Sequence, residues 1–360
     1  MSTRFLVSRT DLRETRTEPC ADATRPLTDG EARLAIVGFA LTANNVSYAQ
    51  SGDALGYWRF FPAPDGWGCI PAWGFADVIE SRAPELPVGE RLYGYLPMAT
   101  HLVITPTRVN EASVTDGAAH RAALPGIYNQ LRRCAADPAY RKDREAIQAL
   151  LQPLFTTAFL IDDFFAASSF FGAAQILLSS ASSKTAYATA FCLTRRPRAE
   201  RPRLVGLTSP ANLAFTGSLG CYDEVVTYDA IPGRPAGVPT IYTDYSGDAG
   251  VRRAIHERFL DALRHDCAVG GTHWQARGSA KDLPGPRPEF FFAPTWAAKS
   301  GPGLFQRIGH RWTAFMEPVV ESPTPWLEVV PGQGAAAVTD VYRRLLDNHI
   351  PAREGHYVSL

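Results

Sequence analysis

Lysine is nearly missing from this chain of 360 residues, occurring only at Lys142, Lys184, Lys281 and Lys299, so arginine supplies almost all the positive charge. Acidic and basic residues balance at a formal net charge of zero. That balance excludes the broad electrostatic footprint of a nucleic-acid or anionic-membrane binder. The basic stretch 195–203 is no exception, because prolines break it and no aromatics are interleaved for base stacking. The cysteines at Cys20, Cys69, Cys134, Cys192, Cys221 and Cys267 form no C-x-x-C pair and no spacing typical of a structural zinc site. The N-terminus lacks the sustained apolar region of a secretory signal, and no run approaches the ~18 apolar residues of a membrane span. The expectation is a cytoplasmic protein acting on a small molecule, with neither nucleic acid nor membrane as partner.

What is present is a change of period along the chain. The first third carries strand-like runs at 32–40, 73–80, 91–97 and 101–106, punctuated by glycine and proline turns, which predicts a compact barrel-like domain. From 118 to 171 the spacing of Ala122, Ile127, Leu131 and Cys134, then of Leu150, Leu151, Phe155, Phe159 and Phe165, predicts helix. Strands then alternate with helices: strands at 175–179, 203–208, 224–228, 240–245, 266–272 and 288–294, helices at 183–194, 211–219 and 249–265. That alternation predicts an α/β domain with a doubly wound parallel sheet. A last helix is expected at 335–348.

The most informative segment is Gln175-Ile176-Leu177-Leu178-Ser179-Ser180-Ala181-Ser182-Ser183-Lys184-Thr185-Ala186, a short apolar strand running into small residues and then a helix. Backbone N–H groups at such a helix start can point at an anion, and only small side chains let a pyrophosphate approach. Against G-x-G-x-x-G the glycine positions fall on Ala181, Ser183 and Ala186. A nucleoside-triphosphate loop, G-x-x-x-x-G-K-[ST], fails at both glycines, where Leu178 and Ser183 stand. An ordinary strand-to-helix connection capped by Ser182 or Ser183 accounts for the same residues equally well.

Other segments carry a family resemblance. Gly30-Glu31-Ala32-Arg33-Leu34-Ala35-Ile36, Leu41-Thr42-Ala43-Asn44-Asn45-Val46, Pro71-Ala72-Trp73-Gly74-Phe75-Ala76-Asp77-Val78, Pro87-Val88-Gly89-Glu90-Arg91-Leu92-Tyr93-Gly94 and Leu219-Gly220-Cys221-Tyr222-Asp223-Glu224-Val225-Val226 occur in that order. Together they resemble the medium-chain dehydrogenase/reductase superfamily, in its zinc-free quinone and enoyl reductase branch. The lost glycines and the long segment 118–171 resemble a poorly characterised offshoot described only as a domain of unknown function.

The resemblance implies a GroES-like barrel (1–117, with 315–360 returning to it) and a Rossmann-type nucleotide domain (118–314). It implies NADP(H) as cofactor, a homodimer, and reduction of an activated double bond or quinone. The binding set would be Ser180, Ala181, Ser182, Ser183, Lys184, Thr185, Thr208, Ser209, Asn212, Tyr228 and Asp244. Thr208, Ser209 and Asn212 stand where an NAD-specific site places an acid, so a 2′-phosphate is tolerated, and Lys184 adds charge. Trp73 and Gly74 occupy the positions of a zinc-binding His-Glu pair, so no metal is expected. Asn45 and Tyr48 on the barrel side, with His273 and Lys299 on the nucleotide side, are the catalytic candidates. Metal-free carbonyl reduction and a nucleotide-binding protein without turnover are the alternatives.

Overall fold

The computed structural model describes residues 2–270, 282–301 and 303–360. The chain forms two compact units, one of Met1–Leu151, Glu328–Ile350 and Glu354–Leu360, the other of Gln152–Leu327 and Pro351–Arg353.

The first unit is built on a nine-stranded sheet. Its centre is the long strand Ala32–Leu41, paired antiparallel with Pro71–Ser81, which pairs in turn with Arg91–Pro97. Close approach of the first two strands needs a bare backbone, because a Cβ on Gly74 would sit 2.2 Å from the carbonyl of Gly38. The chain's last strand, Glu354–Ser359, returns to pair with Ala32–Leu41 and also carries Glu328–Gln333.

The unit boundaries depart from those expected at 117/118 and 314/315. Gln130–Arg133 is a strand, not helix, and pairs with Ser113–Asp116 and Arg91–Pro97. Leu131 is buried in that sheet, so an apolar spacing that suits a helix face here serves an alternating strand. At the other end, Phe315 stays with the second unit by stacking on Phe155 at 4.8 Å and packing on Phe191 at 5.0 Å. Trp326 does the same against Tyr187 at 5.4 Å.

The second unit holds a six-stranded sheet, all parallel. In chain order its strands are Gln175–Leu178, Arg203–Thr208, Glu224–Thr227, Thr240–Asp244, Leu263–Ala268 and Glu289–Phe290. Across the sheet they run third, second, first, fourth, fifth, sixth. Chain order therefore reverses between the first and fourth strands, where sheets of this kind bind ligands beyond their carboxyl ends. Leu177, Val205, Leu207, Tyr242, Ile255, Phe259 and Leu263 form a buried core under this sheet.

Three segments differ from expectation. The long helix is Glu145–Ala167 alone, followed by Ser169, Phe170, Phe171 and Gly172, all with φ between 47° and 68°. Left-handed backbone costs roughly 1–2 kcal/mol per L-residue. Stacking of Phe171 on the His265 ring, 4.2 Å apart and nearly parallel, helps to offset it. The helix Ala249–Phe259 stops before left-handed Leu260, so the next strand begins at Leu263. Ala293–Lys299 is a helix, where the sequence predicts the end of a strand.

The segment Lys142–Ala167 is also long and apolar enough to cross a membrane by composition, contrary to the sequence reading. Its apolar side chains are mostly buried in the protein, among them Leu150, Phe155, Leu160, Ile161 and Phe165. Its buried Asp162 is paired with Arg196 at 2.6 Å.

Candidate functional site in the parallel-sheet unit

The first strand ends at Leu178, and the next five residues make the turn into helix Lys184–Thr194. Ser180 adopts φ +44°, a conformation that favours glycine, and its N–H donates to the phenol of Tyr228 at 2.8 Å. The Ala181 N–H donates to the Leu207 carbonyl at 3.0 Å and the Ser183 N–H to the Ser180 carbonyl at 2.7 Å. Ser182 is buried, and Thr185 lies in the first helical turn with its carbonyl accepting from Thr189 Oγ1. Ser183 stands at the helix cap in extended conformation, but its side chain makes no capping bond and its buried Oγ has no partner. First-turn N–H groups of a helix have no partner within it. A hydroxyl and helix-start donors are thus gathered where an anion would sit.

The turn packs directly on the second strand, whose backbone must be bare beneath it. A Cβ on Gly206, in the second strand, would lie 2.9 Å from the Cβ of Ala181 and 3.1 Å from the ring of Tyr222. The bulk that a glycine-rich turn sheds above the sheet is shed here one strand over.

Asp244, at the end of the fourth strand, has a different role from the one expected. It is fully buried, and Oδ1 accepts from Ser179 Oγ at 2.8 Å, Ser246 Oγ at 2.7 Å, and the N–H groups of Ser246 and Gly247 at 3.0 Å. Oδ2 accepts from Arg252 at 2.5 Å. A carboxylate so engaged holds the protein's own turn and has little left for a ribose hydroxyl.

At the end of the second strand, Thr208 is buried, with its Oγ1 3.4 Å from Thr216 Oγ1. Ser209 and Asn212 are half-buried and precede short helical segments, yet neither side chain caps them. Lys184 Nζ donates to the Ala352 carbonyl at 3.3 Å. Burial raises the Tyr228 phenol above its ordinary pKa, so it is a neutral donor at physiological pH.

The barrel-side candidates sit on helix Ala43–Gln50. Asn45 completes a capping box: its Oδ1 accepts from the Thr42 N–H at 2.8 Å, while Nδ2 donates to the Pro71 carbonyl at 2.9 Å. Both ends of its amide are thereby engaged in holding the helix. Tyr48 is buried, and its oxygen accepts from Asn44 Nδ2 at 2.6 Å and lies 3.4 Å from Trp73 Nε1. Its ring packs against Tyr57 and Tyr95, and burial holds its phenol well above the ordinary range. Trp73 is thus part of an aromatic cluster with Tyr48, Tyr93 and Tyr95. Lys299 is exposed in the last turn of its helix, a position that suits a solvated lysine. His273 lies outside the described residues. Among the described residues no group of three or more His, Cys, Asp or Glu is placed to hold a metal.

Sequence reasoning missed Ser179, Gly206, Tyr222, Ser246 and Arg252. The one local signal was Asp244-Tyr245-Ser246-Gly247 following a strand, a turn in which the acid can accept from N–H groups two and three residues on.

Known structures share this architecture. CurA from Vibrio vulnificus in complex with NADPH superposes with a TM-score of 0.59 at 14% identity, over 99% of this chain and 98% of that one. The CurK enoyl reductase gives 0.58 at 12% over 99% of each chain. The yhdH oxidoreductase from Salmonella enterica in complex with NADP gives 0.54 at 12% over the whole of both. No curated protein sequence matches significantly. The family model described as "Protein of unknown function (DUF2855)" matches residues 39–351. The chain therefore belongs to that family, and its fold, a GroES-like barrel with a Rossmann-type parallel sheet, is the one these solved structures share.

Proposed function

We propose that the protein is an NADPH-dependent, zinc-independent oxidoreductase that reduces an activated double bond or a quinone. The observation that carries this reading is the turn at the switch point of the parallel sheet, where the buried Ser183 Oγ lacks a partner beside a helix start. Ser180, Ala181, Ser182 and Ser183 would hold the pyrophosphate, and Thr208, Ser209 and Asn212 the adenosine ribose with its 2′-phosphate. Lys184 adds positive charge to the same edge. The chemistry such a cofactor supplies when bound is hydride transfer. The chain's part is to orient, to exclude water and to direct donors at the substrate oxygen. Tyr48, neutral and accepting from Asn44, keeps its own O–H for donation.

Asn45 supports the second reading, a nucleotide-binding protein without turnover, because its amide is consumed by capping. Titration with NADPH followed by NADPH oxidation against quinones, enones and enoyl thioesters separates the two. Oxidation of one class supports the reductase; binding without oxidation by any leaves the second reading ahead, and no binding ends both. Elemental analysis should find no stoichiometric zinc, and one tightly bound zinc per chain would overturn that part.

A further inference from the structure

The glycines missing from the turn raise the question of what holds it in shape. A glycine-rich loop keeps its geometry because no side chain opposes it. Here Ser180 takes the left-handed conformation with a side chain, so something must over-determine it. The clamp is made of side chains from neighbouring strands. Ser179 Oγ donates to Asp244 Oδ1 and accepts from the N–H groups of Tyr245 at 2.9 Å and Ser246 at 3.1 Å. The first and fourth strands are thereby tied together beyond their carboxyl ends. On the other side the Tyr228 phenol receives the Ser180 N–H.

Behind Asp244 the network continues inward. Arg252 Nη2 donates to Asp244 Oδ2, and Arg252 Nε lies 3.5 Å from Asp266 Oδ2. His256 Nε2 is 2.8 Å from that same oxygen, while its Nδ1 donates to the Pro284 carbonyl at 2.6 Å. Asp244, Asp266 and His256 are fully buried. Buried charges of this kind are weak as a source of stability and better attested as a means of fixing one arrangement.

We propose that Ser179, Asp244 and Arg252 are positioning residues that hold Ser180 in its left-handed conformation, presetting the turn Ser179–Ser183 for a pyrophosphate. The proposal rests on the nucleotide-binding reading above. Its distinguishing consequence is that the network acts on the pyrophosphate end of a dinucleotide and not on the adenosine end, which the second strand would hold. Loss of Ser179 Oγ removes one donor from Asp244 Oδ1 and the shared acceptor of the Tyr245 and Ser246 N–H groups, which frees the turn. Loss of the Arg252 guanidinium leaves the buried Asp244 carboxylate to draw on the turn's own N–H groups.

The test is calorimetric titration of the full chain with NADPH and, separately, with 2′-AMP, which lacks the pyrophosphate. Ser179→Ala and Arg252→Gln should each weaken NADPH about tenfold, the scale of one charge-assisted hydrogen bond, while 2′-AMP affinity stays within about twofold. Arg252→Lys should recover part of the loss. Thermal melting of each variant reports folding, and Arg252, half-buried on a helix, provides a variant should Ser179→Ala not fold. Unchanged NADPH affinity in both variants, or equal weakening of both ligands, would overturn the proposal while leaving nucleotide binding intact. Wild type that binds neither ligand would overturn the nucleotide reading and this proposal with it.

Discussion

The phenol of Tyr222 donates to the carbonyl of Ala181 at 2.7 Å, across the bare backbone of Gly206. The bond ties the turn after the first strand to the segment leading into the third, and it places an aromatic ring where a side chain on the second strand would have to go.

Gly206→Ala should therefore overpack this layer and lower stability by about 1–3 kcal/mol. The added Cβ would meet Ala181 Cβ at 2.9 Å. Adding Ala181→Gly should restore part of the loss by returning the volume. Urea denaturation of the single and double variants checks it; additive losses would show that the two sites do not share this space.

Ser209→Asp should shift preference away from NADPH, because a carboxylate at the end of the second strand repels a 2′-phosphate and favours ribose hydroxyls. The expected loss is on the order of 1–3 kcal/mol in NADPH binding. Calorimetry with both nucleotides measures it, and wild type that already prefers NADH would refute the assignment.

Glu31 is bound by Arg25 through two nitrogens, at 2.8 and 2.9 Å, and that hydrogen bonding lowers its pKa from 4.5 to about 2. A depressed acid stabilises the folded state above its unfolded value and loses that contribution as pH falls through the folded one. The barrel unit should thus lose stability between about pH 4.5 and 2, and Glu31→Gln should flatten that part of the curve. Asp162 has the opposite sign: burial, outweighing Arg196, raises its pKa, so its contribution declines as pH rises. Melting temperature across this acid range, in wild type and variant, is the measurement.

Tyr48→Phe should cost ~10²–10³ in turnover if its hydroxyl donates to the substrate oxygen, the usual effect of removing one such donor. It should leave NADPH affinity unchanged. Steady-state kinetics with whichever acceptor is reduced decides it. A variant with full turnover would assign Tyr48 to the aromatic cluster alone.

Much of the architecture was legible because it is written in local period. The parallel strands at 203–208 and 224–227, the helix after Ser183 and the absence of an acid after Thr208 all follow from residues within one or two turns of each other. What lies far apart in sequence was not legible. Leu131 reads as helical until Val114 and Tyr93 supply strands on either side of its own. Asn45 reads as a ligand-facing amide until Pro71 comes within hydrogen-bond reach of it. Asp244 reads as a cofactor-binding residue, yet Ser179, 65 residues away, and Arg252 engage its oxygens. A side chain's composition fixes how many hydrogen bonds it can make, but only the folded chain decides which groups take them. The sequence determined that an anion-binding turn of small residues would meet a helix here, and tertiary contacts decided what keeps that turn in place without glycine.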